Sequence, residues 1–170
     1  MTLPVNIHIP YFMLLDRFAE ILSKNINPEI YLSAEALDAL TSEDLEKIKS
    51  GLDMNSLRCS VHGPYMDISP GATDEKARGV ARQRFIQLFQ VLRILKPISV
   101  VLHADYDARR YDDDEDLWFE QSIKTWQEFI DFAEDIETVI CIENVFEERP
   151  HSIKRLMEHY SSDFFRVCLD

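Results

Sequence analysis

Four short hydrophobic runs of the sequence each end on a side chain that is able to bind a metal ion. The four end residues are His62, His103, Glu143 and Asp170. If the runs are parallel strands, their carboxyl ends meet at one edge of the sheet, where α/β barrels keep their active-site residues. Imidazole nitrogens and carboxylate oxygens are common ligands of divalent metals. The recurrence therefore predicts one site built from two histidines and two carboxylates.

Glu143 and Asp170 are the two carboxylates of this predicted site. Glu143 follows the apolar run 139–142, so burial of its charge costs free energy unless a cation or hydrogen bonds compensate. The alternative to a metal is a buried ion pair, for which Arg149 and Arg166 are the candidate partners. We expect Glu143 to bind the metal and take part in catalysis, and Asp170 to be a second metal ligand.

The two histidines occupy equivalent positions at the ends of their strands. Neutral imidazole is a frequent metal ligand, whereas the common alternative is a hydrogen-bonded core histidine. We expect His62 and His103 to be catalytic and to contact a metal or the substrate, and the sequence does not decide between the two. His8 alternates inward on the first predicted strand, and Tyr65 and Asn144 follow strand ends, so these three are candidates for substrate binding.

Length and composition limit the classes of protein that fit. The chain has 170 residues, of which 46% are hydrophobic, which is enough for one domain with a sizeable core. Its net charge of −13 repels phosphate backbones, so nucleic acid is an unfavoured partner. No apolar run approaches the roughly 20 residues that cross a bilayer. Cys59, Cys141 and Cys168 fit no zinc or disulfide spacing, and reduced cysteines indicate a cytoplasmic protein. Homo-oligomerisation is an option that the sequence leaves open.

Strand and helix signals alternate from one end of the sequence to the other. Such alternation predicts right-handed crossovers and a parallel sheet. The four glycines form no dinucleotide-binding motif or P-loop, and the polar strand ends favour a (β/α)8 TIM barrel over an open doubly wound sheet. A full barrel needs about 250 residues, so we expect about six βα units in one C-terminally incomplete domain, residues 1–170. The predicted strands cover residues 5–9, 29–32, 58–62, 98–103, 139–143 and 166–170.

Helix signals accompany the strands. Apolar residues at helical spacing predict one helix from Met13 to Leu22. Thr41 is placed to cap a short helix whose first turn is acidic. The clearest helix has its apolar stripe between Ala77 and Leu95, and it ends before Pro97.

Four motifs occur together at the strand ends: Val-His-Gly-Pro-Tyr at 61–65, Leu-His-Ala at 102–104, Ile-Glu-Asn at 142–144 and Cys-Leu-Asp at 168–170. Together they resemble the xylose isomerase-like TIM-barrel superfamily, which contains sugar phosphate isomerases and epimerases and an apurinic endonuclease branch. The resemblance implies that the Glu and Asp of the last two motifs ligate a divalent metal, namely Mn, Zn, Mg or Co. It also implies that the two motif histidines bind a further zinc, as in the endonuclease branch, or contact substrate, as in many isomerases.

The resemblance leaves three classes of function. In the first, the protein is a divalent-metal-dependent sugar phosphate isomerase or epimerase of carbohydrate metabolism that moves a proton on a small, sugar-like hydroxy-carbonyl substrate. In the second it is a zinc-dependent apurinic endonuclease-like phosphodiesterase, which the acidic charge disfavours. In the third the barrel only binds a ligand or a partner. Since the superfamily's remaining metal ligands lie on later strands, we expect the 170-residue chain alone to bind metal weakly and to be nearly inactive.

Overall fold

The computed structural model describes residues 5–147 and 149–169 of the chain. Its strands form one six-stranded sheet in which every neighbouring pair is parallel and the order follows the chain. The predicted α/β fold with a parallel sheet is therefore confirmed. The strands are β1 (Asn6–Pro10), β2 (Asn27–Tyr31), β3 (Ser60–His62), β4 (Ser99–His103), β5 (Val139–Glu143) and β6 (Phe165–Cys168).

Helices form the connections between successive strands, because parallel neighbours need crossovers. Two helices follow β1, two follow β2, and one follows each of β3, β4 and β5. They are α1 (Tyr11–Asp16), α2 (Phe18–Ser23), α3 (Ala34–Ala39), α4 (Ser42–Met54), α5 (Glu75–Leu95), α6 (Glu115–Asp135) and α7 (His151–Tyr160). A short 3-10 helix (Ala108–Arg110) lies in the loop between β4 and α6.

The prediction of one continuous helix between Met13 and Leu22 is wrong. The helix is interrupted at Arg17, whose φ of −109° and ψ of 17° lie outside the helical region. After this break, the ring of Phe18 lies against Gly51 of α4. A Cβ at position 51 would lie 2.6 Å from a ring carbon of Phe18, so this close contact depends on a glycine there.

Two helices of the β2–β3 connection begin with side-chain caps. The hydroxyl of Thr41 accepts the backbone N–H of Asp44 at 3.1 Å, and the Asp44 carboxylate accepts that of Thr41 at 3.3 Å. The predicted cap is confirmed, although α4 runs to Met54 and is longer than the short helix expected. The sequence pattern does not predict α3, because its six residues form fewer than two helical turns and an apolar repeat cannot be recognised over so short a stretch. Ser33 caps this helix.

Helices α5 and α6 pack together over the strands that lead to the predicted site. Phe85 of α5 lies between Trp126 and Phe129 of α6, with ring centroids 5.4 and 5.3 Å apart. All three rings are buried, and full burial of such a side chain stabilises the fold by about 1.5–3 kcal/mol. This layer packs on the sheet, where the ring of Trp126 lies 5.7 Å from that of Phe165 in β6.

Strands β1 and β6 are the two edges of the described sheet, since each pairs with one described strand. Hydrophobic side chains at these edges are exposed, among them Ile7 on β1 and Val167 on β6. The described sheet is therefore open between its first and last strands. No helix in the described part of the chain combines the length and apolarity that crossing a membrane requires.

Candidate metal and substrate site

Three of the four predicted metal ligands converge at the carboxyl ends of β3, β4 and β5. Nε2 of His62 lies 3.2 Å from Oε2 of Glu143, and Nε2 of His103 lies 2.9 Å from the same oxygen. The candidate ligand atoms of all three residues lie within 4.8 Å of one another. His103 and Glu143 are direct neighbours in the β4–β5 register. The structure thus brings together side chains that are 81 residues apart in the chain.

The backbone of Gly63 orients the imidazole of His62. Nδ1 of this buried ring donates to the Gly63 carbonyl oxygen at 2.9 Å, so the proton of a neutral ring resides on Nδ1. Gly63 itself sits where a Cβ would lie 2.5 Å from a methyl carbon of Leu102 and 2.8 Å from one of Leu88. The close approach of strand and helix at this point therefore requires a glycine.

The donor set fits a bound cation. Because the proton of the His62 ring is held on Nδ1, Nε2 of this ring presents a lone pair to Oε2 of Glu143. Both atoms donate electron pairs, so they repel each other unless a cation lies between them. Burial lowers the pKa of His103, and the neighbouring His62 lowers it further, while Glu143 opposes both effects. Two imidazole nitrogens and a carboxylate oxygen form an N2O set that suits zinc, manganese or cobalt.

The ion-pair alternative for Glu143 does not form among the described residues. Arg166 pairs with Asp163, and within the described part of the chain the polar contacts of the Glu143 side chain are those with the two histidines. Asp170, the predicted fourth ligand, lies outside the described residues.

His8 and Tyr65, which are predicted to bind substrate, both lie beside this cluster. The half-exposed ring of His8 is 5.7 Å from that of His62, and its Nδ1 is 3.3 Å from Oε1 of Glu29. Tyr65 stacks on His103, with centroids 4.9 Å apart and an interplanar angle of 23°. These two side chains thus form part of the wall next to the candidate metal ligands.

Asn144 has a different environment. It follows Glu143 directly, and it lines a cavity of about 740 Å³ together with Ile153, Met157 and Val167. This cavity lies between α7 and β6, and its walls are mainly apolar. The structure therefore does not bring Asn144 to the same wall as Tyr65.

Sequence reasoning missed Tyr31, which completes a row of stacked rings. Its ring stacks on His8 at 5.4 Å and on Tyr65 at 5.3 Å, with interplanar angles of 26° and 29°. Burial, together with a hydrogen bond to Tyr65, raises the pKa of Tyr31 to about 12, so its hydroxyl is protonated at neutral pH. The signal that could have found it is its position at the end of β2, beside His62 in the register.

A second polar group that the sequence did not single out lies below these rings. Glu29 accepts the Ser60 hydroxyl at 3.1 Å, and Asn6 donates to that hydroxyl at 2.8 Å. Because the three residues come from neighbouring strands, their side chains form a hydrogen-bonded layer across β1, β2 and β3.

The loops around the site are tied together by Asp105. Its buried carboxylate accepts hydrogen bonds from the Ser69 hydroxyl and, at 2.8 Å, from the Arg110 guanidinium. Burial raises the pKa of this carboxyl, while Ser69 and Arg110 lower it. The contact joins the loop after β4 to the loop after β3, which also carries Tyr65. Asp105 is therefore placed to hold that tyrosine in position.

Comparison with known proteins agrees with this arrangement of strands and ligands. The chain matches the family described as "Xylose isomerase-like TIM barrel" over residues 27–170. Its fold resembles that of the TTHB071 protein from Thermus thermophilus, in a structure soaked with ZnCl2, with a TM-score of 0.79 and 16% identity over 99% of this chain and 66% of that one. Comparison with curated proteins gives no significant match.

Two epimerase structures are similar to it as well. A D-tagatose 3-epimerase-like protein has a TM-score of 0.75 and 16% identity over 98% of this chain and 65% of that one. The 3-keto-D-glucoside 4-epimerase YcjR from E. coli has a TM-score of 0.75 and 15% identity, with coverages of 99% and 68%. The chain spans about two thirds of the length of these structures.

The fold and the ligand cluster define a partial, parallel α/β barrel with its candidate site at the carboxyl ends of the strands. The chain belongs to the xylose isomerase-like TIM barrel family.

Proposed function

We propose that this chain carries the active site of a divalent-metal-dependent isomerase or epimerase that acts on a small sugar-like hydroxy-carbonyl compound. The observation that carries the proposal is the convergence of His62 Nε2 and His103 Nε2 on one oxygen of Glu143. Epimerases among the structures of similar fold support the class of reaction. The N2O donor set favours zinc, manganese or cobalt over magnesium, which prefers oxygen ligands.

Glu143 has two oxygens with different surroundings, which suits it to two roles. Oε2 faces both imidazoles, whereas Oε1 has no polar contact with the described residues. A bound divalent ion would stabilise the negative charge that develops on the substrate carbonyl oxygen. Oε1 would then accept the proton from the carbon next to the carbonyl and return it to the neighbouring carbon in an isomerisation. In an epimerisation Oε1 would take up the proton on one face, and a second proton donor would return one to the same carbon on the opposite face.

The aromatic residues would bind and shield the substrate. Tyr31 and Tyr65 present hydroxyl groups that donate and accept hydrogen bonds, as the hydroxyls of a sugar do. Their rings, stacked between His8 and His103, limit the access of water to the proton that is transferred. We assign His8 to the rim of the site.

The setting that we propose is carbohydrate metabolism in the cytoplasm. The three cysteines are free thiols, which suits a reducing compartment. The net charge of −13 makes nucleic acid an unsuitable substrate. Assembly into a homo-oligomer is compatible with this proposal and is not required by it.

The experiment is turnover of ketohexoses by the metal-loaded full-length protein that contains this chain, and by its Glu143→Gln variant. We expect the variant to lose activity by several orders of magnitude while it stays folded, because the amide cannot accept the proton. Glu120→Gln changes an exposed glutamate on α6 in the same way and serves as the matched control. Equal activity of the two variants would contradict the proposal. Cleavage of abasic-site DNA without any epimerisation would assign the site to the endonuclease class.

A further inference from the structure

Four aromatic rings form one stacked column across strands β1 to β4, beside the candidate metal ligands. In order along the sheet they belong to His8, Tyr31, Tyr65 and His103. Successive ring centroids lie 5.4, 5.3 and 4.9 Å apart, and successive planes are inclined by 26°, 29° and 23°. These distances and angles are typical of offset stacking, which is favourable between aromatic rings. The column thus starts on the edge strand β1 and ends on a candidate metal ligand.

The imidazole of His62 stands edge-on against all four rings of this column. Its centroid lies 5.2–5.7 Å from theirs, and its plane is inclined by 74–84° to each of them. Edge-to-face contacts depend on geometry, so they favour one orientation of the ring that makes them. The hydrogen bond from Nδ1 to the Gly63 carbonyl then fixes the rotation of the ring within its plane. The column and this hydrogen bond together determine where Nε2 of His62 points.

Tyr31 is the member of the column that supports both histidine ligands, one directly and one through Tyr65. It is the neighbour of His62 in the β2–β3 register, and the two ring centroids are 5.7 Å apart. The Tyr31 side chain also stacks on Tyr65 and is hydrogen-bonded to it. Tyr65 in turn stacks on His103. Removal of the Tyr31 ring would therefore open space next to His62 and take away one of the two rings on which Tyr65 stacks.

We propose that Tyr31 is a positioning residue of the metal site, whose ring holds the imidazoles of His62 and His103 in the orientation in which both Nε2 atoms face Glu143. The inference rests on the metal site of the proposed function and adds to it a residue that does not itself bind the metal. Ligands that are already held in place lose little freedom when they bind an ion. Substitution of residues that support metal ligands typically lowers metal affinity by roughly 10–100-fold. Since the ring of Tyr31 makes these contacts, the ring rather than the hydroxyl should determine metal binding.

The first test needs no metal. It follows the Nδ1 proton of His62 by 1H–15N NMR in the metal-depleted full-length protein that contains this chain. This buried N–H is bonded to the Gly63 carbonyl, so it should exchange slowly with water. Tyr31→Phe keeps the ring and should retain the slow exchange. Tyr31→Ile keeps a strand-forming side chain without a ring, and we expect it to speed the exchange at least roughly tenfold.

The second test is titration of the same proteins with Co²⁺, whose visible absorption reports both the affinity and the geometry of the ligands. We expect Tyr31→Ile to bind cobalt roughly tenfold more weakly and with an altered spectrum. Tyr31→Phe should match the unmodified protein in both respects. If Tyr31→Ile does not fold, Tyr31→Met takes its place, because the flexible methionine side chain fills the space of the ring.

Tyr160→Leu is the matched control for the loss of a tyrosine ring. Tyr160 is the last residue of α7, it is partly buried, and its ring contacts that of Phe165. This substitution should leave cobalt binding unchanged. A loss of cobalt affinity in Tyr160→Leu as large as that in Tyr31→Ile would overturn the inference.

Two further results would also overturn it. One is proton exchange and cobalt binding that are the same in Tyr31→Ile as in the unmodified protein. The other is an equal loss of cobalt affinity in Tyr31→Phe and Tyr31→Ile, because the hydroxyl would then be the important group. Turnover separates these results from the proposed function. Cobalt affinity that depends on the ring supports the inference even if no ketohexose turns over, and the absence of turnover would count against the proposed reaction alone.

Discussion

Replacement of Asp105 by alanine tests whether the loops around the site are held by this buried carboxylate. Asp105 has a φ of 58°, a left-handed conformation that aspartate tolerates better than alanine. We assign about 1 kcal/mol to this backbone effect. Loss of the hydrogen bonds to Ser69 and Arg110 lowers the unfolding free energy by roughly a further 2 kcal/mol. The contribution of Arg110 to this value is small, because its side chain is 52% exposed and solvent screens the ion pair. The expected loss of unfolding free energy is therefore about 3 kcal/mol.

Asp112→Ala is the matched control for this substitution. Asp112 also has a left-handed φ, of 51°, but it is exposed and its carboxylate makes no hydrogen bond with the described residues. We expect the control to lose only the backbone contribution of about 1 kcal/mol. For a chain of this size the difference of about 2 kcal/mol lowers the melting temperature by roughly 4–8 °C. Urea denaturation followed by tryptophan fluorescence measures both variants. Equal losses of unfolding free energy in the two variants would refute the claim that the hydrogen bonds of Asp105 hold the two loops together.

Three further predictions concern the packing of the domain. Gly63→Ala should lose about 1–3 kcal/mol of unfolding free energy, because its Cβ would lie 2.5 Å from Leu102. Gly79 lies on α5 with open space around it, so Gly79→Ala should instead raise the unfolding free energy by up to about 1 kcal/mol. A decrease as large as that of Gly63→Ala would contradict this expectation. Cys59 should resist iodoacetamide at pH 8 until denaturant is added, because burial raises the pKa of its thiol to about 11; rapid alkylation of the native protein would show otherwise.

The strands and the cluster of ligands could be predicted because their signals are local. Each strand is a short apolar run, and parallel pairing then brings residues at equivalent strand ends to one edge. His62, His103 and Glu143 lie together for this reason. The cap of α4 was predictable on the same grounds, since Thr41 and Asp44 are three residues apart.

The remaining features depend on contacts between segments that are distant in the sequence. The tie at Asp105 joins two loops 36 residues apart, and no periodic pattern marks either partner. Tyr31 belongs to the site because its ring stacks on His8 of β1 and on Tyr65 of the loop after β3. In the sequence alone, Tyr31 is not distinguishable from any other strand residue. The interruption at Arg17 was not predictable, because the apolar pattern continues through it.

The most direct test of the central claim is calorimetric titration of the metal-depleted protein with zinc. The account predicts one equivalent of zinc per chain, and a loss of affinity of at least roughly tenfold in His62→Ala and in His103→Ala. His159→Ala, which removes an exposed histidine from the last turn of α7, should bind zinc as the unmodified protein does. Zinc binding that is unchanged by both site substitutions, or that is lost equally in His159→Ala, would contradict the claim that His62, His103 and Glu143 form a metal site.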